Sequence, residues 1–498
     1  MSQTVLEYLE SSALKYPDKN VFEDGKHAFT YTEVLDMSRR IGSAIAASVK
    51  GSRLPCAVFM DKNIESVVSF MGILYSGNFY CPIDSKMPED RINTILSVLQ
   101  PKVIITDNDH LEQAENFECE STILLWENII QTDIDEQALK SIRNNATERD
   151  PLYVLFTSGS TGVPKGVLVS HRVITNYLEW LDDTFNIDNS VVFGNQAPLY
   201  FDISMHDVYG TLYFGGTLVI IPQHLFSFPV KLIEFMNERK ISSILWVPSA
   251  MGILAILKAF KAIKPEYLKE VMFAGEVLPR KHLDYWRTNL PDAVYANLYG
   301  PTETFVCTAY ICNGNEPDGE PMPIGSSINN SGILILDENN NQVSEGDVGE
   351  LCLRGSCLAM GYYNNPERTA QSFVQNPLQN QYPDLIYHTG DLVYMNKEGN
   401  LIYVSRKDFQ IKHMGYRIEL GEIETAASNI DGIEDCACTY DTRSKRIILH
   451  YTGTEMDKSD LSEMLSDKIP AYMIPQVYKY MRSLPHNANG KIDRKALS

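Results

Sequence analysis

A chain of 498 residues is longer than one hydrophobic core organises, so two or more domains are expected. With 44% hydrophobic and 21% charged residues its composition is globular, and its net charge of −21 argues against nucleic acid or an anionic membrane as partner. No apolar run reaches the roughly 18 residues of a membrane span. Met1 to Asn20 carries Glu7, Glu10 and Asp18 and lacks a basic segment ahead of an apolar one, which excludes a signal peptide and points to the cytoplasm.

The first third alternates helix and strand. Helical periodicity runs from Tyr31 to Val49 behind Thr30, and again from Asn63 to Tyr75; Lys102 to Thr106 and Thr122 to Trp126 are short β-rich runs. This alternation predicts a parallel sheet with crossover helices. Tyr153 to Phe156 reads as a buried strand that empties into a loop rich in Ser, Thr and Gly, from Thr157 to Gly166. That loop offers little to a core but many N–H and hydroxyl groups, which phosphate oxygens require. It is not a Walker loop, because Pro164 precedes Lys165 and Gly166 follows it.

The pattern resumes with strands at Thr217 to Ile221, Ile244 to Val247 and Val271 to Ala274, separated by helix-length segments. After about Ser331 the texture changes to strands and tight turns: Gly332 to Leu336, Glu350 to Arg354, and Leu392 to Tyr403 around the turn Lys397-Glu398-Gly399-Asn400. From Arg406 onward a small α+β unit is expected, with a helix over Glu422 to Ser428, strands near Cys436 to Thr439 and Arg446 to Tyr451, and a helix from Asp460. This unit holds 14 basic and 14 acidic residues, so the whole acidic excess lies before it. A unit neutral overall can still present basic patches to an acidic partner. The nine cysteines (56, 81, 119, 307, 312, 352, 357, 436 and 438) form no CxxC pair and read as reduced packing residues, and no ligand spacing marks a structural zinc.

Further segments join the loop in a fixed order: Tyr200-Phe201-Asp202, Asn297-Leu298-Tyr299-Gly300-Pro301-Thr302-Glu303, Gly349-Glu350-Leu351, Tyr387-His388-Thr389-Gly390-Asp391-Leu392, Arg406-Lys407-Asp408, Gly415-Tyr416-Arg417-Ile418-Glu419, Pro470 to Pro475, and Asn489-Gly490-Lys491-Ile492-Asp493-Arg494. Together they resemble the adenylate-forming enzymes: acyl-CoA synthetases, luciferases and the adenylation domains of nonribosomal peptide synthetases. The similarity covers nearly the whole chain, and its texture is nearest the amino-acid branch, particularly the D-alanine–carrier protein ligases. The resemblance implies an α/β fold: a large N-terminal domain (1–405) of two packed αβ sheet subdomains and a small β-barrel-like subdomain, then a small mobile α+β C-terminal domain (406–498). It also implies ATP-dependent formation of an aminoacyl-AMP and transfer to the pantetheine thiol of a carrier. Nothing after Lys491 resembles a carrier module, so a separate carrier protein is expected, and the resemblance implies a monomeric enzyme.

The same resemblance assigns roles. Thr157, Ser158, Gly159, Ser160, Thr161, Gly162 and Lys165 would meet the β- and γ-phosphates. Glu303 would help hold Mg²⁺, with Thr302 near the α-phosphate. Tyr299, followed by Gly300, would stack on adenine, Asn297 would bond its edge, and Gly275-Glu276 would let the base lie close to the backbone. Asp391 would bind the ribose hydroxyls, Arg406 the ribose or phosphate region, and Asp408 would be the hinge. Lys491 would reach the substrate carboxylate and the α-phosphate, then leave when the Gly415 loop enters to line the pantetheine tunnel. Ser405 departs from the family, which usually has Gly before the Arg.

Asp202 selects the substrate class. In the amino-acid branch a carboxylate here pairs with the substrate ammonium; read alone, it would cap a helix from Ile203. The pocket implied by the motifs is lined by Ile203, His206, Leu245, Met272, Ala274, Leu298, Val306 and Cys307, mostly apolar, which favours a small or medium uncharged side chain. The D-alanine ligases commonly carry Cys in place of Ala274 and Met in place of His206, so side chain and stereochemistry stay open. An acyl-CoA synthetase using free CoA is the alternative enzyme, and a non-catalytic nucleotide- or carrier-binding module the alternative class. Asp202 disfavours the first; Lys165, Glu303, Asp391 and Lys491 together disfavour the second.

Overall fold

A computed structural model describes residues 4–159, 163–314, 316, 321–485, 492 and 494–497. Two large sheets carry the first two-thirds of the chain. One has seven strands in the order Gly361–Tyr362, Lys165–Ser170, Pro151–Thr157, Phe79–Ile83, Pro55–Phe59, Val103–Thr106, Thr122–Leu125; the other has nine, with Val294–Tyr299, Glu270–Ala274, Ser243–Trp246, Val192–Asn195 and Thr217–Ile220 forming its parallel centre. Central strands such as Val103–Thr106 are buried at every position, as expected of parallel strands covered on both faces.

The two helices predicted in the first third start behind capping side chains, whereas those expected from Glu422 and Asp460 begin two residues earlier, at Leu420 and Lys458. Thr30 and Glu33 form a reciprocal capping box for Tyr31–Ser48, and the Asn63 side chain accepts the Ser66 N–H at the start of Ile64–Tyr75. The second helix is buried on nearly all sides, and the two cross at reciprocal glycines. A methyl on Gly72 would sit 2.3 Å from Ile41, and one on Gly42 2.7 Å from Tyr75, so only hydrogen fits at the crossing.

A smaller antiparallel sheet follows: Ser331–Leu336, Gly349–Gly355, Leu385–Met395 and Phe373–Gln375, with Leu401–Arg406 paired to Leu385–Met395. Its hairpin turns between Asn396 and Asn400, one residue earlier than the predicted turn. Ser405 continues the strand opposite Leu392, a conformation that needs no glycine. The last unit has its own apolar cluster, built on the helix Leu420–Ser428, the strands Ile433–Asp441 and Arg446–Gly453 and the helix Lys458–Ser466. Before it stands a two-stranded hairpin, Gln410–His413 with Tyr416–Glu419, which projects toward the large sheets. The described cysteines are free thiols, and no helix among the described residues is long and apolar enough to cross a membrane.

One local expectation changes. The Ser/Thr/Gly loop is shorter than its composition suggests, because Lys165 already opens the return strand Lys165–Ser170 and pairs with Thr157. The alternation Val167, Leu168, Val169 carries that strand, but Gly and Pro beside it mask the signal.

Candidate active site

A cavity of about 100 Å³ lies at the C-terminal ends of strands from both large sheets, where open α/β sheets bind ligands. Leu155 to Ser158, Asp202 and Ile203, Ala274 and Gly275, and Gly300 to Thr302 form its large-sheet walls. Lys412, Gly415, Tyr416 and Arg417, from the projecting hairpin, and Tyr472 close it. Tyr416 is clamped between Tyr472, stacked at 3.7 Å between ring centroids, and Phe201, edge-on at 4.8 Å.

Asp202 is enclosed in this cavity. Its Oδ1 accepts the Ile203 N–H at 2.8 Å, and Thr302 hydrogen-bonds its side chain. Burial pushes its pKa above the ordinary carboxylate value, against those two hydrogen bonds. Asp202 is not a helix cap: the helix Ser204–Phe214 has Ile203 at its N-cap position with no side-chain cap bond, and Asp202 lines the cavity.

Glu303 is fully buried and carries three partners: the Arg417 guanidinium, Lys165 Nζ at 3.5 Å and the Tyr362 hydroxyl, which donates at 2.8 Å. Burial alone would raise its pKa, but the Arg417 and Lys165 charges and the Tyr362 bond outweigh it and hold the group well below the carboxylate range. Burial, then the Arg417 charge, pushes Lys165 down to about 8. One hard carboxylate oxygen beside a phosphate-type loop suits Mg²⁺, which usually takes one or two carboxylates plus phosphate oxygens; Arg417 holds that carboxylate here.

Asp391 and Tyr299 meet through the phenol, which donates to Asp391 Oδ2. Arg406 donates to Asp391 Oδ1 at 2.8 Å and makes a two-pronged pair with Asp408 at 2.6 and 2.7 Å. The ribose candidate, the arginine and the hinge candidate thus form one chain of charge. Lys412 Nζ lies 5.4 Å from the Tyr299 ring centroid, and its charge feels Asp391 and Asp202; burial lowers its pKa. Asn297 is buried and donates to the Pro323 carbonyl at 2.7 Å. Glu276 bridges the hairpin and the large sheet, accepting the Gly415 N–H at 2.9 Å and the Ser249 N–H at 3.0 Å.

Of the eight predicted pocket residues, Ile203, Ala274 and Val306 line the cavity. His206, Leu245, Met272, Leu298 and Cys307 are buried but are not among its lining residues. His206 shares a hydrogen bond of 2.6 Å with the Tyr177 hydroxyl, and burial pushes its pKa down to about 3, so the ring is neutral. Phe305 lines the cavity, and its ring packs edge-on against Tyr177 at 4.9 Å. Its backbone is left-handed, φ +54°, and its carbonyl lies where a methyl on Gly300 would be 1.4 Å away. Gly300 therefore has a steric duty: it admits the Phe305 backbone.

Ser160, Thr161, Gly162 and Lys491 lie outside the described residues. Beside Lys491, Ile492 packs with Ala437, Leu484 and Leu497. Arg494 pairs with Glu424 at 2.7 Å and covers the Phe409 ring at 4.2 Å. Ile492 and Arg494 therefore rest on the small unit, while the 410–419 hairpin fills the cleft. The sequence reading gave no role to Lys412, Arg417, Glu422, Arg91 or Phe305; Arg417 stands in a quoted motif, the only signal it offered.

Comparisons with known proteins find relatives along the chain. A family model described as AMP-binding enzyme matches residues 9–363. The chain is 30% identical over 510 residues to Zwittermicin A synthase ZmaJ of Bacillus cereus, covering 100% of this chain and 95% of that protein. It is 31% identical over 515 residues to the D-alanine--D-alanyl carrier protein ligase of Lactiplantibacillus plantarum, covering 100% and 99%. In fold it matches the crystal structure of the Vibrio cholerae adenylation domain AlmE in complex with glycyl-adenosine-5'-phosphate, with a TM-score of 0.85, 21% identity, and coverage of 100% and 97%.

Proposed function

The chain belongs to the AMP-binding enzymes, and on that premise we propose that it activates an amino acid with ATP as the aminoacyl-AMP and transfers the acyl group to the phosphopantetheine thiol of a carrier protein. The observation that carries the amino-acid assignment is Asp202, a part-buried carboxylate in the cavity wall beside Thr302. The Lys412 charge offsets only part of the desolvation of this carboxylate, and a substrate ammonium would offset more of it.

In the first half-reaction the substrate carboxylate attacks the α-phosphate, and pyrophosphate leaves. The Thr157 to Lys165 segment holds the β- and γ-phosphates through its N–H groups, hydroxyls and ammonium. Glu303 would help hold Mg²⁺, which when bound would supply charge neutralisation at the phosphates. Tyr299 and Asn297 face adenine, Asp391 the ribose, and Thr302 the α-phosphate. Lys491 supplies the cation between substrate carboxylate and α-phosphate, where preorganised charge lowers the barrier most. In the second half-reaction the unit 406–498 turns about Asp408, and the thiol enters along the 410–419 hairpin to attack the acyl carbon. AMP leaves.

The cavity walls favour a small or medium uncharged side chain. The enzyme's use of ATP fits a cytoplasmic location. ATP–pyrophosphate exchange across the standard amino acids, D-alanine and fatty acids tests the reading. Exchange with one or a few amino acids is expected; exchange with fatty acids only, or with none, overturns it.

A further inference from the structure

Away from the cavity, the small antiparallel sheet brings a thiol, an imidazole and a carboxylate to one point. Cys352 and His388 stand opposite each other in register on the strands Gly349–Gly355 and Leu385–Met395, and Glu350 lies two positions before Cys352 on the first strand. His388 Nδ1 is 3.3 Å from Cys352 Sγ and 3.1 Å from Glu350 Oε2. The ligand atoms of all three lie within 4.8 Å of one another. Because they stand on paired strands, the sheet ladder fixes their positions. Glu350 has two further partners: its Oε1 accepts the Gly390 N–H at 2.9 Å, and its Oε2 pairs with Lys407 Nζ at 3.1 Å. Cys352 and His388 are 36 positions apart, a separation that no metal-ligand spacing in the sequence announces.

Hydrogen bonds alone leave this cluster unbalanced. One imidazole nitrogen carries either a proton or a lone pair, so Nδ1 can donate to Glu350 or accept from Cys352, but not do both. A metal ion takes a lone pair from each of the three at once. Thiolate, imidazole and carboxylate together suit Zn²⁺, and three protein ligands leave its fourth position to water. Metal bonds of about 2.3 Å to sulfur and about 2.0–2.1 Å to nitrogen put neighbouring tetrahedral ligand atoms about 3.3–3.6 Å apart, close to the spacings here. Burial, then the Glu350 charge, raises the Cys352 thiol above its ordinary value, so its proton passes to solvent only as the sulfur–metal bond forms. His388 is 26% exposed and gives an ion its way in. We propose that Cys352, His388 and Glu350 form a site for a thiophilic divalent ion of the Zn²⁺ class, and that the ion competes with Lys407 for Glu350 Oε2. Lys407 directly follows Arg406, the partner of Asp391, and precedes the hinge candidate Asp408. An ion on Glu350 therefore releases a tie between Lys407 and the large domain beside the hinge.

Co²⁺ reads the site in the whole, reduced chain, because it occupies zinc sites and gives a sulfur-to-metal absorption band in the near ultraviolet when a thiolate binds it. Titration should raise that band to about one ion per chain, with a proton released for each ion bound, and Zn²⁺ should remove it. Cys352→Ser should abolish the band. Cys352 is fully buried and its variant can fail to fold, so the part-exposed His388 supplies the deciding variant. His388→Gln should weaken binding about tenfold or more, at least what loss of a supporting partner costs a metal site. Lys407→Met should tighten binding about two- to fivefold, the worth of a part-exposed ion pair. The cluster of Asp24, His27 and Glu65 has no sulfur, so an ion held there adds nothing to the band. Absence of the band at millimolar Co²⁺, or a band of unchanged affinity in His388→Gln, overturns the site. Equal affinity with and without Lys407→Met overturns the competition at Oε2. None of these outcomes depends on which acid the enzyme activates.

Discussion

Replacing Asp202 by Asn tests the substrate class most directly. The amide is isosteric and can still accept the Ile203 N–H that Oδ1 now takes at 2.8 Å. It cannot carry charge, and its NH₂ presents donors toward an incoming ammonium. Removing one partner of a buried ion pair typically costs about 3–5 kcal/mol. The free pocket already disfavours the charge, since burial raises the Asp202 pKa, so the lower end applies. About 3 kcal/mol corresponds to a loss of roughly 100-fold in kcat/KM for the amino acid.

The same residue sets a pH dependence. Because burial raises the free-pocket pKa, Asp202 holds a proton at acid pH that must leave when the ammonium binds. Below that pKa, kcat/KM for the amino acid should fall about tenfold per pH unit, with the charged state regained as pH rises through it. The acid limb should vanish in the variant. Pyrophosphate exchange from pH 5 to 8, with the amino acid and with its deaminated analogue, measures both effects. A loss below fivefold, or an equal loss for the analogue that has no ammonium, refutes the pairing.

Other residues give independent tests. Lys491→Ala should slow pyrophosphate exchange by about 10²–10³-fold, as for other lost transition-state donors, while carrier loading from preformed adenylate stays within threefold; equal losses in both steps would reject a role confined to adenylation. Phe305→Ala should open the cavity wall and raise the preference for leucine over alanine about tenfold, in the range a pocket of changed size delivers; an unchanged ranking in the exchange panel would show that the ring does not limit the side chain. Gly300→Ala places a methyl 1.4 Å from the Phe305 carbonyl; exchange should fall more than about 100-fold because the Tyr299 to Val306 turn must rebuild, and a near-normal rate would mean that this turn is not rigid. Glu303→Gln leaves Arg417 buried without its counter-ion, so the protection from hydrogen exchange of the Glu419 amide, which donates to Ser158 Oγ at 3.1 Å, should drop and Arg417→Met should restore part of it; additive losses in the double variant would deny the pairing.

What the sequence shows in advance follows from the range of the physics involved. Strands such as Val103–Thr106 and caps such as Thr30 and Asn63 depend on neighbours a few residues away, and each is visible as a short pattern. The site loops are legible for a similar reason: Thr157 to Lys165 and Tyr299 to Glu303 combine small, hydroxylated and charged residues that no core would use. The contacts that close the site are not local. Arg417 and Glu303 are separated by 114 positions and Arg91 and Glu422 by 331, and nothing in either segment names its partner. Pocket depth is equally hidden. A left-handed backbone at Phe305 brings that ring to the cavity beside Tyr177, the residue bonded to His206, a consequence of one dihedral angle that no residue pattern announces.

The uneven charge of the chain gains a meaning from these same contacts. The segment 406–498 is neutral overall, and the whole excess of acid lies before it. Among the described residues, Arg406 meets Asp391, Lys407 meets Glu350 and Arg417 meets Glu303. In each of these a cation of the segment 406–498 meets an acid that precedes it, the first within one sheet; Glu422 with Arg91 is the reverse. The acidic partner that a locally basic face would suit is therefore the rest of the same chain. Salt should discriminate between these pairs. Lys407 is 42% exposed and its attraction is screened readily, whereas Arg417 is 14% exposed against a fully buried Glu303. Raising ionic strength from 0.05 to about 0.5 M, roughly the range over which surface attraction is lost, should leave the protection of Glu419 largely intact. The Lys407 contact should loosen, read as faster exchange in the strand Leu401–Arg406 that leads into it. If Glu419 lost protection first, the buried pair would not be what holds the hairpin in the cleft.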